Sequence, residues 1–128
     1  MRGTFLSVLL MLNFALLSAQ AQSGTTNTMQ PAEFSADLGT CSALFTVTSN
    51  AGPVQNAKIT TRIHYGAFGV KKLDLETYTD INGQVKIVRL PEVPKKPIYF
   101  YVTKDDKEEI VEFKPEEHCR ATFDVRLK

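Results

Sequence analysis

The sequence predicts an all-β domain, a two-sheet sandwich of seven short antiparallel strands behind an export signal. Three observations carry this. From Cys41 onward, apolar and polar residues alternate with period two, and turn residues interrupt the alternation at short intervals. No stretch combines good helix formers with 3.6-residue spacing. The first 21 residues have the three parts of a secretory signal.

In that signal Arg2 is the positive n-region, Phe5 to Leu17 the apolar run, and Ala19-Gln20-Ala21 the small-residue cleavage site. The run falls short of the roughly 20 residues that span a bilayer, and Asn13 interrupts it. Cleavage is expected, with a product that is secreted or periplasmic. Residues 22–39 are rich in Ser, Thr, Gln, Asn and Gly and read as a flexible polar linker. The domain is therefore set at residues 40–128.

Each strand follows from its alternation. Cys41, Ala43, Phe45 and Val47 share one face, with Ser42, Thr46 and Thr48 on the other. Asn50-Ala51-Gly52-Pro53 turns the chain. Ala57, Ile59, Thr61, Ile63 and Tyr65 then face inward, and Gly66-Ala67-Phe68-Gly69 breaks the strand. The third strand, about Lys71 to Tyr78, turns Leu73 and Leu75 inward. Thr79-Asp80-Ile81-Asn82-Gly83 is a hairpin turn, because Asn-Gly accepts the positive φ it needs. Val85, Ile87 and Arg89 share a face of the fourth strand, which Pro91 and Pro94 end. The fifth, Ile98 to Val102, is apolar or aromatic on both faces and reads as central. Ile110 to Phe113 is a short sixth strand. In the seventh, Cys119, Ala121, Phe123, Val125 and Leu127 face inward.

Cys41 and Cys119, the two cysteines of an exported chain, open the first and last strands on their inward faces. A structural disulfide is expected. Two buried thiols, or a redox or metal pair, are the alternatives, and the chain has no C-x-x-C.

Charge excludes some partners. The chain has 15 Lys+Arg and 14 Asp+Glu, and losing Arg2 makes them equal. No surplus remains for phosphate-driven nucleic-acid binding or polybasic membrane attachment. Neither nucleic acid nor, after signal cleavage, a membrane span is expected.

Two turn motifs look familiar. Gly52-Pro53-Val54-Gln55-Asn56-Ala57-Lys58-Ile59 resembles the first-hairpin signature of carboxypeptidase regulatory-like domains. Thr79-Asp80-Ile81-Asn82-Gly83-Gln84-Val85, followed by Leu90-Pro91, resembles their second. The resemblance implies a Greek-key sandwich of transthyretin-like or immunoglobulin-like form, in a secreted accessory module without activity of its own. Pro91 to Pro97 and Lys104-Asp105-Asp106 depart from the family pattern, which marks a divergent member. The related hydroxyisourate hydrolases end in Tyr-Arg-Gly-Ser. This chain ends Asp124-Val125-Arg126-Leu127-Lys128, so a hydrolase of that type is the least favoured reading.

Other chemistry is sparse. Asp80-Ile81-Asn82-Gly83 begins like a calcium loop, but Pro91 stands where the bidentate Glu belongs. His64 and His118, the only imidazoles, are expected on solvent faces, too few for a metal site. No nucleophile elbow surrounds Ser42 or Ser49. No catalytic residue, metal or cofactor is expected, and the chain is read as a non-enzyme.

The interaction candidates are Tyr65, Phe68, Lys71 and Lys72 around the Gly66–Lys72 loop, and Tyr99 and Tyr101 on the fifth strand. Phe68 is expected to plug one end of the sandwich, the alternative being contact with a partner. The two tyrosines are expected on a core-facing or edge-covered side, the alternative being an exposed stripe that stacks on sugars or protein. The leading reading is an exported binding or accessory module whose partner is an envelope or extracellular protein or glycan. The second is a self-assembling envelope protein that uses a sheet edge or its N-terminal tail.

Overall fold

A computed structural model describes residues 30–128. The signal peptide assigned to residues 1–21, and the linker as far as residue 29, lie outside the described residues. The compact unit is Pro31–Lys128. It is a β-sandwich of nine strands: β1 Ala32–Ser35, β2 Cys41–Ser49, β3 Gly52–Pro53, β4 Lys58–Tyr65, β5 Lys71–Tyr78, β6 Gln84–Leu90, β7 Ile98–Lys104, β8 Lys107–Phe113 and β9 Arg120–Arg126. The seven expected strands are present, and β1 and β3 are additional.

One sheet runs β1-β6-β2, and β2 also pairs with β9 and with the two-residue β3. The other runs β5-β4-β7-β8 and is antiparallel throughout. The first sheet departs from the antiparallel expectation twice. β1 pairs parallel with β6, and β2 pairs parallel with β9 in the register Ser42 opposite Arg120 through Thr48 opposite Arg126. β1 also lies within the segment read as linker. Composition hid it, because all four of its residues are exposed. What holds it is its ladder to β6 and the burial of the adjoining Ala36.

The alternation places the core as expected. Phe45 and Val47 of β2, Ile59 and Ile63 of β4, Val85 and Ile87 of β6, and Phe100 and Val102 of β7 are fully buried. Four phenylalanines join the sheets. The Phe45 ring meets Phe100 edge-on at 4.9 Å and stacks on Phe123 at 5.2 Å, while Phe113 lies 6.1 Å from Phe100 and 6.5 Å from Phe123. Offset and edge-on contacts of this kind add to the area these rings remove from water. Cys41 and Cys119 form a disulfide with their Cα atoms 4.7 Å apart, closing a span of 78 residues. It crosslinks neighbouring strands where the β2–β9 ladder begins, beside the Ser42 N–H that donates to the Cys119 carbonyl at 2.7 Å.

Arg89 does not share the inward face of Val85 and Ile87. It is exposed, with φ 60°, and Leu90 is buried in its place. The β2–β6 register runs from Ala43 opposite Ile87 to Cys41 opposite Leu90, so β6 carries one extra residue there. This bulge turns Arg89 outward, where it reaches Asp37 at 3.1 Å.

The Thr79–Gly83 turn forms, but it is not the hairpin turn expected: β5 and β6 belong to different sheets and do not pair, so the turn carries the chain from one sheet to the other. Asp80 Oδ1 accepts from the Asn82 and Gln84 N–H groups at 2.9 and 3.0 Å, and Gly83 takes φ 75°. The buried Thr79 hydroxyl accepts from Ala57 N–H at 2.9 Å and donates to the Val54 carbonyl at 2.6 Å. The two turn motifs of the sequence are thus bonded to each other.

Candidate functional site

Strand direction gathers four connections at one end of the sandwich: β1–β2, β4–β5, β6–β7 and β8–β9. The β4–β5 connection is a single 3₁₀ turn, Ala67–Gly69, with Gly69 N–H donating to the Gly66 carbonyl at 3.1 Å and Val70 N–H to that of Ala67 at 3.3 Å. Gly66 and Gly69 take φ 81° and 67°, and Phe68 between them takes φ 56°. The left-handed region costs an L-residue roughly 1–2 kcal/mol. Gly69 is buried so closely that a Cβ there would stand 2.9 Å from Lys95 Cβ and 3.6 Å from His64 Cβ. His64 Nδ1 lies 3.3 Å from the Gly69 carbonyl. The turn is therefore pressed onto β4 and the Pro91–Pro97 connection, while its tip projects away.

Phe68 does not plug the sandwich. It is 95% exposed. The space it was expected to fill is already occupied: Ile63, Leu90, Ile98 and Phe113, each at this end of its strand, are at most 1% exposed. Val70 and Val93 are also largely exposed, at 70% and 73%. Lys71 and Lys72 are exposed beside the turn, and the Lys71 stem lies along Gly66. Tyr65 is half-buried and lines a cleft of 300 Å³ together with Leu38, His64, Pro91, Glu92 and Val93. Across this end Glu92 accepts from the Thr40 hydroxyl and, at 2.7 Å, from the Thr40 N–H. The Thr40 hydroxyl is the main cause holding the Glu92 carboxyl below its ordinary pKa.

Tyr65, Phe68, Lys71 and Lys72 thus belong to one hairpin end. Tyr99 and Tyr101 belong elsewhere, and neither faces the core. Ile98, Phe100 and Val102 take the inner face of β7, leaving the tyrosines on its outer face, 42% and 39% exposed. Tyr101 pairs with Thr60 on one side and the exposed Ile110 on the other. It borders a 450 Å³ depression that also touches Arg62, Asp74 and Glu76. Arg62 Nε and Asp74 Oδ1 meet at 2.6 Å on this face, which raises the pKa of the guanidinium and lowers that of the carboxyl. The central position expected for β7 holds, since β4 and β8 flank it.

Two features escaped sequence reasoning. Val93 stands exposed inside a Pro- and Lys-rich connection, where a lone valine is itself a signal. The open edge of β9 needed the sheet order. Among the described residues, no three His, Cys, Asp or Glu side chains converge as metal ligands, and no helix is long and apolar enough to cross a membrane.

No family model matches the chain, and no curated protein is similar to it in sequence. Solved structures do resemble its fold. BcpA, the major pilin subunit of Bacillus cereus, superposes with a TM-score of 0.50 at 12% identity, over 70% of this chain and 30% of the pilin subunit. Catechol 1,2-dioxygenase from Pseudomonas arvilla C-1 gives 0.49 at 9% identity, over 75% of this chain and 56% of that enzyme. The chain thus spans well under two thirds of either protein. At these identities the likeness to the pilin subunit is one of fold, a β-sandwich.

Proposed function

We propose that this chain is an exported, non-catalytic β-sandwich of the carboxypeptidase regulatory-like type, an accessory module that docks on a protein at the cell envelope or outside the cell through its Phe68 end. The observation that carries this reading is the 95% exposure of Phe68 on a backbone held in a costly conformation. Strain of that kind persists where surrounding structure over-determines it, and it gathers at ligand clamps. A phenylalanine knob beside Val70 and Val93 suits an apolar pocket on a partner, in the manner of an interface hot spot. Lys71 and Lys72 would lie at the polar rim. The disulfide agrees with an oxidising compartment, and the signal-like N-terminus supplies the route.

A photo-crosslinking residue at position 68, in the chain exported by its own cell, tests this. Adducts with a discrete protein are expected from position 68. Position 81 is the control, because Ile81 is also exposed but sits in the β5–β6 turn at the opposite end. Equal adducts from both positions, or none from position 68, would sink the reading. The self-assembly reading has its own observation, the open edge of β9.

A further inference from the structure

We propose that the outer edge of β9 is a strand-pairing site and that its occupant is a second copy of this chain. β9 has one ladder neighbour, β2. The Cys119 carbonyl accepts from Ser42 N–H, and Leu127 N–H donates to the Thr48 carbonyl. Odd-numbered residues therefore turn their backbone groups toward β2. Successive residues of a strand direct these groups to opposite sides, so those of Arg120, Thr122, Asp124 and Arg126 face the open edge. Among the described residues no further strand pairs there. The other edges are short or guarded. β1 has four residues, β5 carries Lys71, Lys72, Asp74 and Glu76, and β8 carries Lys107, Glu108, Glu109 and Glu112. Charge is one way natural edges resist pairing; β9 also carries Arg120, Asp124 and Arg126, and whether these resist or favour pairing depends on which of them come to face each other. β9 spans seven residues, has no proline, and alternates without interruption.

The side chains choose the partner and the register. A two-fold pair of β9 strands runs antiparallel, and directly opposed residues share a face. Centred on Thr122, Arg120 of each copy faces Asp124 of the other, twice over, while Ala121 faces Phe123 on the inner side. Centred on Phe123, Arg120 would face Arg126. Centred on Asp124, two carboxylates would collide. Centred on Ala121, little of the strand would pair. Arg120 and Asp124 are exposed, and neither takes part in an ion pair among the described residues. Ala121 and Phe123 are only half-buried, along a groove of 420 Å³ between β8 and β9. Pairing in the Thr122 register would cover that rim and join the two β2-containing sheets into one. This edge and the Phe68 turn are separate surfaces, so either can fail without the other.

The test is sedimentation of the full chain, exported and oxidised, across a concentration range, with hydrogen exchange read along β9. A reversible dimer is expected. Arg120→Asp and Asp124→Arg should each weaken it by at least about tenfold, and the double reversal should restore it. Phe68→Ser should leave it intact. In the unsubstituted chain the Thr122 and Asp124 amides should gain protection as the dimer forms, a readout that depends on no variant. A monomer at every concentration would overturn the inference. So would a dimer indifferent to both reversals, one that Phe68→Ser dissolves, or one that leaves the β9 amides unprotected.

Discussion

Cys41 and Phe68 stand near the same end of the sandwich and show opposite economies. Cys41 is fully buried and covalently tied, and Phe68 is almost bare. Closing a 78-residue span removes about 4 kcal/mol of chain entropy from the unfolded state in the simplest account. Cys119→Ala should therefore lower the melting temperature of the oxidised protein by about 10–20 °C, without altering crosslinking from position 68. An unchanged melting curve would mean that the bridge contributes nothing. Phe68→Ser removes no contact with the core, so it is the control that should melt like the parent.

Among the elements, the Thr79–Gly83 turn shows most directly how residue choice becomes geometry. Gly83 takes φ 75°, and a Cβ on it would stand 2.4 Å from the Val47 carbonyl oxygen and 3.0 Å from Val54 N. Backbone strain and backbone collision act together there. Gly83→Ala should cost about 2–4 kcal/mol, seen as an earlier urea midpoint. Gly52 has φ 112° with nothing within 4 Å of its virtual Cβ. Gly52→Ala should cost only the backbone part, about 1–2 kcal/mol. Equal costs for the two would refute the collision. Asp80 adds a tie of its own, since its second carboxylate oxygen accepts from Ala32 N–H at 3.2 Å and anchors β1 to this turn. The calcium-like start of that segment is thereby accounted for as turn chemistry.

For the whole molecule, stability concentrates where the two sheets meet at Phe45, Phe100, Phe113 and Phe123. Phe45 contacts one ring across the sandwich and one beside it, so Phe45→Ala opens a cavity that neither sheet can close alone. A loss of about 3–5 kcal/mol is expected, a large share of the ~5–15 kcal/mol that holds an ordinary domain folded. Denaturant titration measures it, and a loss below about 1 kcal/mol would mean that the cluster collapses around the gap.

Period-two alternation from Cys41 to Leu127, interrupted by Gly, Pro, Asn and Asp, determined by itself that this protein is a β-sandwich and most of the side chains that fill it. Those signals are local, because the pleat assigns faces residue by residue and turn residues act through their own φ. Tertiary structure alone decided the rest. Strand direction is one such feature, because the alternation is the same for either direction and only the sheet shows that β2 and β9 are parallel neighbours. The bulge that turns Arg89 outward, the exposure of Tyr99 and Tyr101, and the place of β1 all depend on which strands become neighbours. Phe68 is the clearest case. An apolar residue in a loop goes inward only if the core has room, and Ile63, Leu90, Ile98 and Phe113 from four different strands had already filled that end.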